Sequence, residues 1–74
     1  MSRARFAPGF RPTVIERERV EALLEVAGID HVRIVRQANG NVSATWHSAG
    51  GQTLVTVMSS AIEAVELLVS GVRR

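Results

Sequence analysis

The sequence contains no cysteine, no lysine and no tyrosine. Without cysteine the chain can form neither a disulfide framework nor a thiolate zinc site, the devices that most often stabilise very small domains. A chain of 74 residues buries only about 60% of the surface that its unfolded form exposes. Its stability must therefore come from packing, or from a partner.

Long apolar runs are also missing. No run approaches the roughly 20 residues needed to span a bilayer, and residues 1–11 lack the apolar centre of a secretory signal. We therefore expect a cytoplasmic protein without membrane contact. Hydrophobic residues make up 46% of the chain and charged residues 22%, which is typical of a folded domain and not of a disordered one.

All nine basic residues are arginine, so the sequence pI of about 11.1 overstates a formal net charge of only +2. A GC-rich genome would give the same all-arginine usage. The seven acidic residues lie in the body of the chain, whereas several arginines lie near the ends. These terminal arginines are Arg3, Arg5, Arg11, Arg73 and Arg74.

The first twelve residues contain both prolines and both phenylalanines and show no periodicity. They predict an irregular N-terminal arm over residues 1–12, followed by one α+β domain over residues 13–72. Arginines beside Phe6 and Phe10 suit phosphate contact with base stacking, or docking on an acidic protein surface. A solubilising tail, or packing of both rings onto the domain's own core, is the alternative interpretation.

A capping box at Thr13 and Glu16 predicts the start of the first helix, and Gly28 predicts its end. We place this helix at residues 14–27. Its apolar residues fall on one broad arc, so the helix should be amphipathic with a wide apolar side. The arc comprises Ile15, Val20, Ala22, Leu23, Leu24, Val26 and Ala27.

A second capping box at Ser60 and Glu63 predicts a helix over residues 61–70 that ends at Gly71. This helix keeps only a narrow polar strip. It must therefore be covered on more than one side, by the sheet, by the first helix or by a second subunit. We expect a homodimer, with Leu67 as a partner-binding candidate.

Two alternating segments, residues 31–37 and 41–48, flank Ala38-Asn39-Gly40, and Asn-Gly is a strong hairpin signal. A two-residue loop would mix polar and apolar groups on both faces, whereas a three-residue loop gathers the apolar ones. The apolar pattern therefore favours the three-residue loop. It sets Val32 beside Trp46, Ile34 beside Ala44 and Arg36 beside Val42.

The next turn, Gly50-Gly51, predicts a two-residue hairpin. That register sets Trp46 beside Val55 and Ala44 beside Val57, with Trp46 at the centre of the core face. The predicted fold is α+β with the order α-β-β-β-α. It consists of a three-stranded antiparallel meander with both helices packed on one face.

We find no pattern of catalytic residues, and we expect no enzyme, no cofactor and no catalytic or cofactor-binding residue. His31 and His47 become cross-strand neighbours in the predicted register, with Cβ atoms roughly 5 Å apart. Two imidazoles are too few for a structural zinc site unless a symmetric partner supplies two more. The alternative is two partly exposed strand histidines without a metal.

The α-β-β-β-α order resembles the double-stranded RNA-binding domain in topology. That family grips RNA with a Lys-rich start to its last helix, where this chain has residues 59–63 without a basic residue. In that family, the loop between the first two strands carries a His-containing motif. The corresponding loop of this chain is Ala38-Asn39-Gly40. The resemblance therefore carries no functional residue over to this chain.

Two functions fit the sequence. The first is a small non-enzymatic protein-interaction module, such as an adaptor, regulator or inhibitor of a bacterium or phage, acting as a homodimer. The second is a nucleic-acid-binding domain that uses the N-terminal arginines. The partner-binding candidates are Arg3, Arg5, Phe6, Phe10, Arg11 and Leu67.

Overall fold

In the computed structural model, which describes residues 2–73, two helices pack on one face of a four-stranded mixed sheet. The strands follow one another across the sheet in chain order. The predicted α+β class with both helices on one face is confirmed. The elements are β1 (Ala4–Phe6), α1 (Val14–Ala27), β2 (Val32–Arg36), β3 (Val42–His47), β4 (Thr53–Met58) and α2 (Ala61–Val72).

Strand β1 corrects the predicted three-stranded sheet and the irregular arm. It runs parallel to β2 with Ala4 beside Val32, whereas the other pairings are antiparallel. The Val32 N–H donates to the Arg3 carbonyl at 3.0 Å, and the Ala7 N–H donates to the Ile34 carbonyl at 2.8 Å. A strand of three residues is too short to show an alternating pattern, so its partner has to be found across the chain.

Helix α1 has the predicted bounds and caps. The Glu16 N–H donates to the Thr13 hydroxyl at 3.0 Å, and Gly28 ends the helix with a φ of 70°. The wide apolar side is not used, however, because Ile15 and Val26 are 71% and 81% exposed. Helix α1 packs mainly against α2 and meets the sheet mainly at β1, so it buries a narrow stripe.

Helix α2 begins as predicted, with the Glu63 N–H donating to the Ser60 hydroxyl at 3.2 Å. It continues to Val72, so Gly71 lies inside the helix and does not end it. A Cβ atom at Gly71 would lie 3.0 Å from the Leu54 side chain. The glycine therefore permits close packing of α2 on β4.

The first hairpin has the predicted three-residue loop. The Gln37 N–H donates to the Asn41 carbonyl at 2.7 Å, and Gly40 adopts a φ of 90°. Ile34 consequently pairs with Ala44, as expected.

The second hairpin differs from the prediction by one residue. Its loop is Ala49-Gly50-Gly51, closed by the Ser48 N–H donating to the Gln52 carbonyl at 2.8 Å. A one-residue change in register moves every side chain of the strand to the other face. The inner row now sets Trp46 beside Leu54, Ala44 beside Thr56 and Val42 beside Met58.

The core lies between the inner face of the sheet and the two helices. Trp46 is half-buried at its margin and not at its centre. Thr56 is a buried polar residue of the sheet, and its hydroxyl donates to the Ala64 carbonyl of α2 at 2.7 Å. The fully buried large side chains are Val20, Leu24, Val32, Ile34, Val42, Val65 and Leu68.

Candidate functional site

The outer edge of β4 is the most distinctive surface of the molecule. Ser48 and Gln52 form the hydrogen-bonded position that closes the second hairpin. Hydrogen-bonded and non-hydrogen-bonded positions alternate along an antiparallel pair. The backbone groups of Leu54, Thr56 and Met58 therefore point to β3, and those of Thr53, Val55 and Val57 point away from the sheet. Within residues 2–73, no backbone partner meets these outward groups.

The same register turns two valines outward. Val55 and Val57 lie on the sheet face opposite the helices and are 53% and 42% exposed. Natural sheets usually protect a free edge with charges, proline, a bulge or a very short strand. Strand β4 has six residues, Thr-Leu-Val-Thr-Val-Met, with neither charge nor proline. It is therefore a ready template for a further strand.

The opposite edge of the sheet is closed by the chain itself. The two carboxylate oxygens of Glu21 on α1 accept the backbone N–H groups of Arg3 at 2.7 Å and Ala4 at 2.8 Å. Strand β1 is also only three residues long. One edge is thus short and capped, and the other is long and open.

Leu67 lies on the same side of the molecule as the β4 edge. Ile62 and Val69 line the groove between α2 and α1. At 100° per residue, Leu67 projects about 150° around α2 from that side, away from α1. Since α1 lies towards β1 and α2 lies over β3 and β4, Leu67 faces outward above β4. Its side chain is 45% exposed.

The aromatic residues of the N-terminal segment pack on the body of the protein. Phe10 is buried and Phe6 packs against the core, with ring centroids 5.3 Å apart. The Arg36 guanidinium lies 4.6 Å from the Phe10 ring centroid, and the Arg17 guanidinium lies 5.8 Å from that of Phe6. Of the interpretations of these rings, the structure favours packing onto the chain's own core.

The N-terminal arginines are divided between structural and free positions. Arg3 donates to the Asp30 carboxylate at 2.7 Å. Arg5 pairs with Arg33 on the outer face of the sheet, and both side chains are exposed. Arg11 is exposed as well. Arg74, the second of the two terminal arginines, lies outside the described residues.

The two histidines do not form the predicted cross-strand pair. Strand β2 begins at Val32, and the ladder to β3 starts with Arg33 beside Thr45. His31 precedes it with a left-handed φ of 61°, while His47 Nδ1 lies 2.9 Å from the Thr53 hydroxyl. Residues 2–73 contain no group of three or more His, Cys, Asp or Glu side chains placed to hold a metal ion.

A second concave surface lies between α1 and α2. This groove of about 360 Å³ has apolar walls and charged residues of both signs at its rim. Its charged lining residues are Arg19, Glu66 and Arg73. The groove is suited to apolar contact.

The sequence predicted Val55 and Val57 on the core face because the second hairpin was assigned a loop one residue too short. One signal was available: both loops have alanine first and glycine last, Ala38-Asn39-Gly40 and Ala49-Gly50-Gly51. Both final glycines adopt positive φ, 90° at Gly40 and 86° at Gly51. Applying the first loop's geometry to the second would have placed Val55 and Val57 outside.

The chain matches no protein-family model, no curated protein and no solved structure. Across residues 2–73, no helix has the length and hydropathy required to cross a membrane. Function is therefore inferred from the geometry of the surfaces described above.

Proposed function

We propose that this chain is a small non-enzymatic protein-interaction module that accepts a further β-strand at the edge of β4. In strand addition, main-chain hydrogen bonds give affinity and alternate side chains give specificity. The outward backbone groups of Thr53, Val55 and Val57 supply the main-chain hydrogen bonds. The two exposed valines supply the side-chain contacts. An adaptor, regulator or inhibitor would act in this way.

The contrast between the two sheet edges is the observation that carries this proposal. A free strand edge is a liability in a monomer, because it pairs with other chains. This chain closes the β1 edge with Glu21 and leaves the longer, more apolar β4 edge open. An edge that is used for binding has a reason to stay open.

The nucleic-acid alternative has less support. Arg3 is engaged with Asp30, and Arg36 lies over the Phe10 ring. Among residues 2–73, the outer sheet face presents no Phe, Tyr or Trp on which a base could stack, and His47 lies beside the Thr53 hydroxyl. Arg5, Arg11 and Arg33 remain exposed for phosphate contact, but three charges give only a weak site. The cytoplasmic location stays a prediction.

A synthetic peptide of alternating threonine and valine tests strand addition directly. It is titrated into the 15N-labelled chain at a concentration at which light scattering gives the monomer mass. We expect the amide signals of Thr53, Val55 and Val57 to shift and become protected from exchange, while those of Leu54 and Thr56 change little. The control peptide carries proline at an edge-facing position, which removes one donor.

Shifts along α1, or equal shifts with the proline peptide, would overturn the proposal. Protection of the odd-numbered amides is the decisive feature, since pairing through the strand edge gives these amides hydrogen-bond partners, whereas the even-numbered ones already bond to β3.

A further inference from the structure

We infer that the strand added at β4 is β4 of a second copy, paired antiparallel about a two-fold axis that passes between Val55 and its copy. This inference depends on the proposed function, because it names the partner that occupies the same edge. The resulting dimer contains a continuous eight-stranded sheet, twice the four strands of one chain.

The edge is complementary to itself in this register. With Val55 opposite its own copy, Thr53 lies opposite Val57 of the partner, and the reverse pairing follows by symmetry. All three residues point their N–H and C=O groups outward, so each of these pairs can exchange two hydrogen bonds, about six in total. If the two-fold axis lay at Leu54 or at Thr56 instead, one of the three outward residues of β4 would lie beyond the end of the partner's strand and have no strand residue to pair with.

The same symmetry brings the two α2 helices to packing distance. Helix α2 contacts both β3 and β4, so its axis lies about one strand spacing, roughly 4.8 Å, from the dyad. The two α2 axes are then about 10 Å apart, close to the spacing of packed helices. Strand pairing and helix packing are therefore compatible in one dimer.

Along the strand direction, Leu67 lies at the same position as the two-fold axis. The Thr56 hydroxyl bonds to the Ala64 carbonyl, and Gly71 lies against Leu54. The α2 residues between Ala64 and Gly71 therefore lie above the β4 residues between Thr56 and Leu54, which places Leu67 above Val55. Facing away from α1, Leu67 meets Leu67 of the partner's α2 on the helix side, while Val55 meets its copy on the other face.

The surface area that a stable dimer must bury also favours a contact that includes both the sheet edge and helix α2. A specific interface buries about 800 Å² on each partner, roughly a sixth of the 5025 Å² surface of this chain. One strand edge covers only part of such an area. On α2, the exposed Leu67 adjoins the same edge and adds apolar area to the contact.

Single cysteines test this register, because the chain has no cysteine of its own. Residues at a dyad position of this type have Cα atoms about 5.5 Å apart, within the range of a disulfide. Val55→Cys should therefore form a covalent dimer under mild oxidation. Val57→Cys is the matched control: it is on the same strand and face, but the two copies lie about 14 Å apart along the strands. We expect cross-linking at least roughly tenfold faster for Val55→Cys.

Light scattering on a sizing column gives the second measurement. The wild-type chain at about 0.1 mM should have close to twice the monomer mass of 8.0 kDa. Val55→Lys, which sets two like charges opposite each other, should return it to the monomer. Val35→Lys makes the same change on β2, away from the edge, and should leave the dimer intact. Leu67→Glu should weaken it, with circular dichroism confirming the fold of each variant.

A monomer at every concentration would overturn the inference, as would equal cross-linking of the two cysteine variants or a dimer unaffected by Val55→Lys. The peptide titration separates these failures from that of the proposed function. A monomeric chain whose β4 amides still respond to the peptide accepts strands from another protein. A dimer whose edge amides do not become protected associates through a different surface.

Discussion

The Glu21 carboxylate closes one edge of the sheet, and Glu21→Ala should therefore destabilise the whole fold. Two backbone N–H groups, of Arg3 and Ala4, donate to it at 2.7 and 2.8 Å. Hydrogen bonds to a charged group contribute about 1.5–3 kcal/mol each, and partial exposure of the site favours the lower value. We expect a loss of about 2–3 kcal/mol from a total of roughly 4–11 kcal/mol for a chain of this length.

Guanidinium unfolding followed by the fluorescence of Trp46, the single tryptophan, measures this loss. Protein concentration is held constant, because self-association would shift the apparent stability. Glu25→Ala, on the same helix with an exposed side chain, is the control and should cost little. In addition, the Ala7 amide, which bonds to the Ile34 carbonyl, should exchange faster once β1 is released. A Glu21→Ala variant within 0.5 kcal/mol of the control, a difference expected for ordinary surface changes, would refute the reasoning.

Further substitutions test the other contacts by the same unfolding measurement. Phe10→Ala should cost about 3–4 kcal/mol because it empties a buried site, whereas Arg3→Ala should cost less than about 1 kcal/mol, since its ion pair with Asp30 is partly exposed. The reverse order would mean that charge, not packing, holds the N-terminal segment. Thr56→Val should lose about 1 kcal/mol with its hydrogen bond to α2, and an unchanged midpoint would contradict that role. Ser60→Ala should cost about 1 kcal/mol and reduce helix content at the start of α2, which circular dichroism can check.

Local signals in the sequence predicted the helices and the first hairpin well. Thr13 and Ser60 act as caps because a hydroxyl before an amphipathic run satisfies a free N–H of the first turn. Gly28 ends α1 because it can adopt a left-handed conformation. These effects involve neighbours within four residues, so the pattern alone is sufficient.

Contacts between residues far apart in the chain could not be predicted from the sequence pattern. Strand β1 forms because Val32 and Ile34 offer a hydrogen-bonding edge far along the chain, and its own three residues give no periodicity. Gly71 was expected to end α2, yet it serves contact with Leu54 on a different element. The β4 edge was missed for a third reason: Gly50-Gly51 suits two loop lengths, and Val55 and Val57 made the wrong length look consistent with the core.

Hydrogen exchange of the β4 amides, measured at low and high protein concentration, tests the account most directly because it observes the edge hydrogen bonds without any mutation. In dilute solution the amides of Leu54 and Thr56 should be protected by β3, and those of Thr53, Val55 and Val57 should exchange rapidly. At high concentration the second group should become protected as the strands pair. Rapid exchange of Val55 and Val57 at every concentration would contradict pairing of two copies at this edge, and protection already present in the monomer would show that the edge is not free.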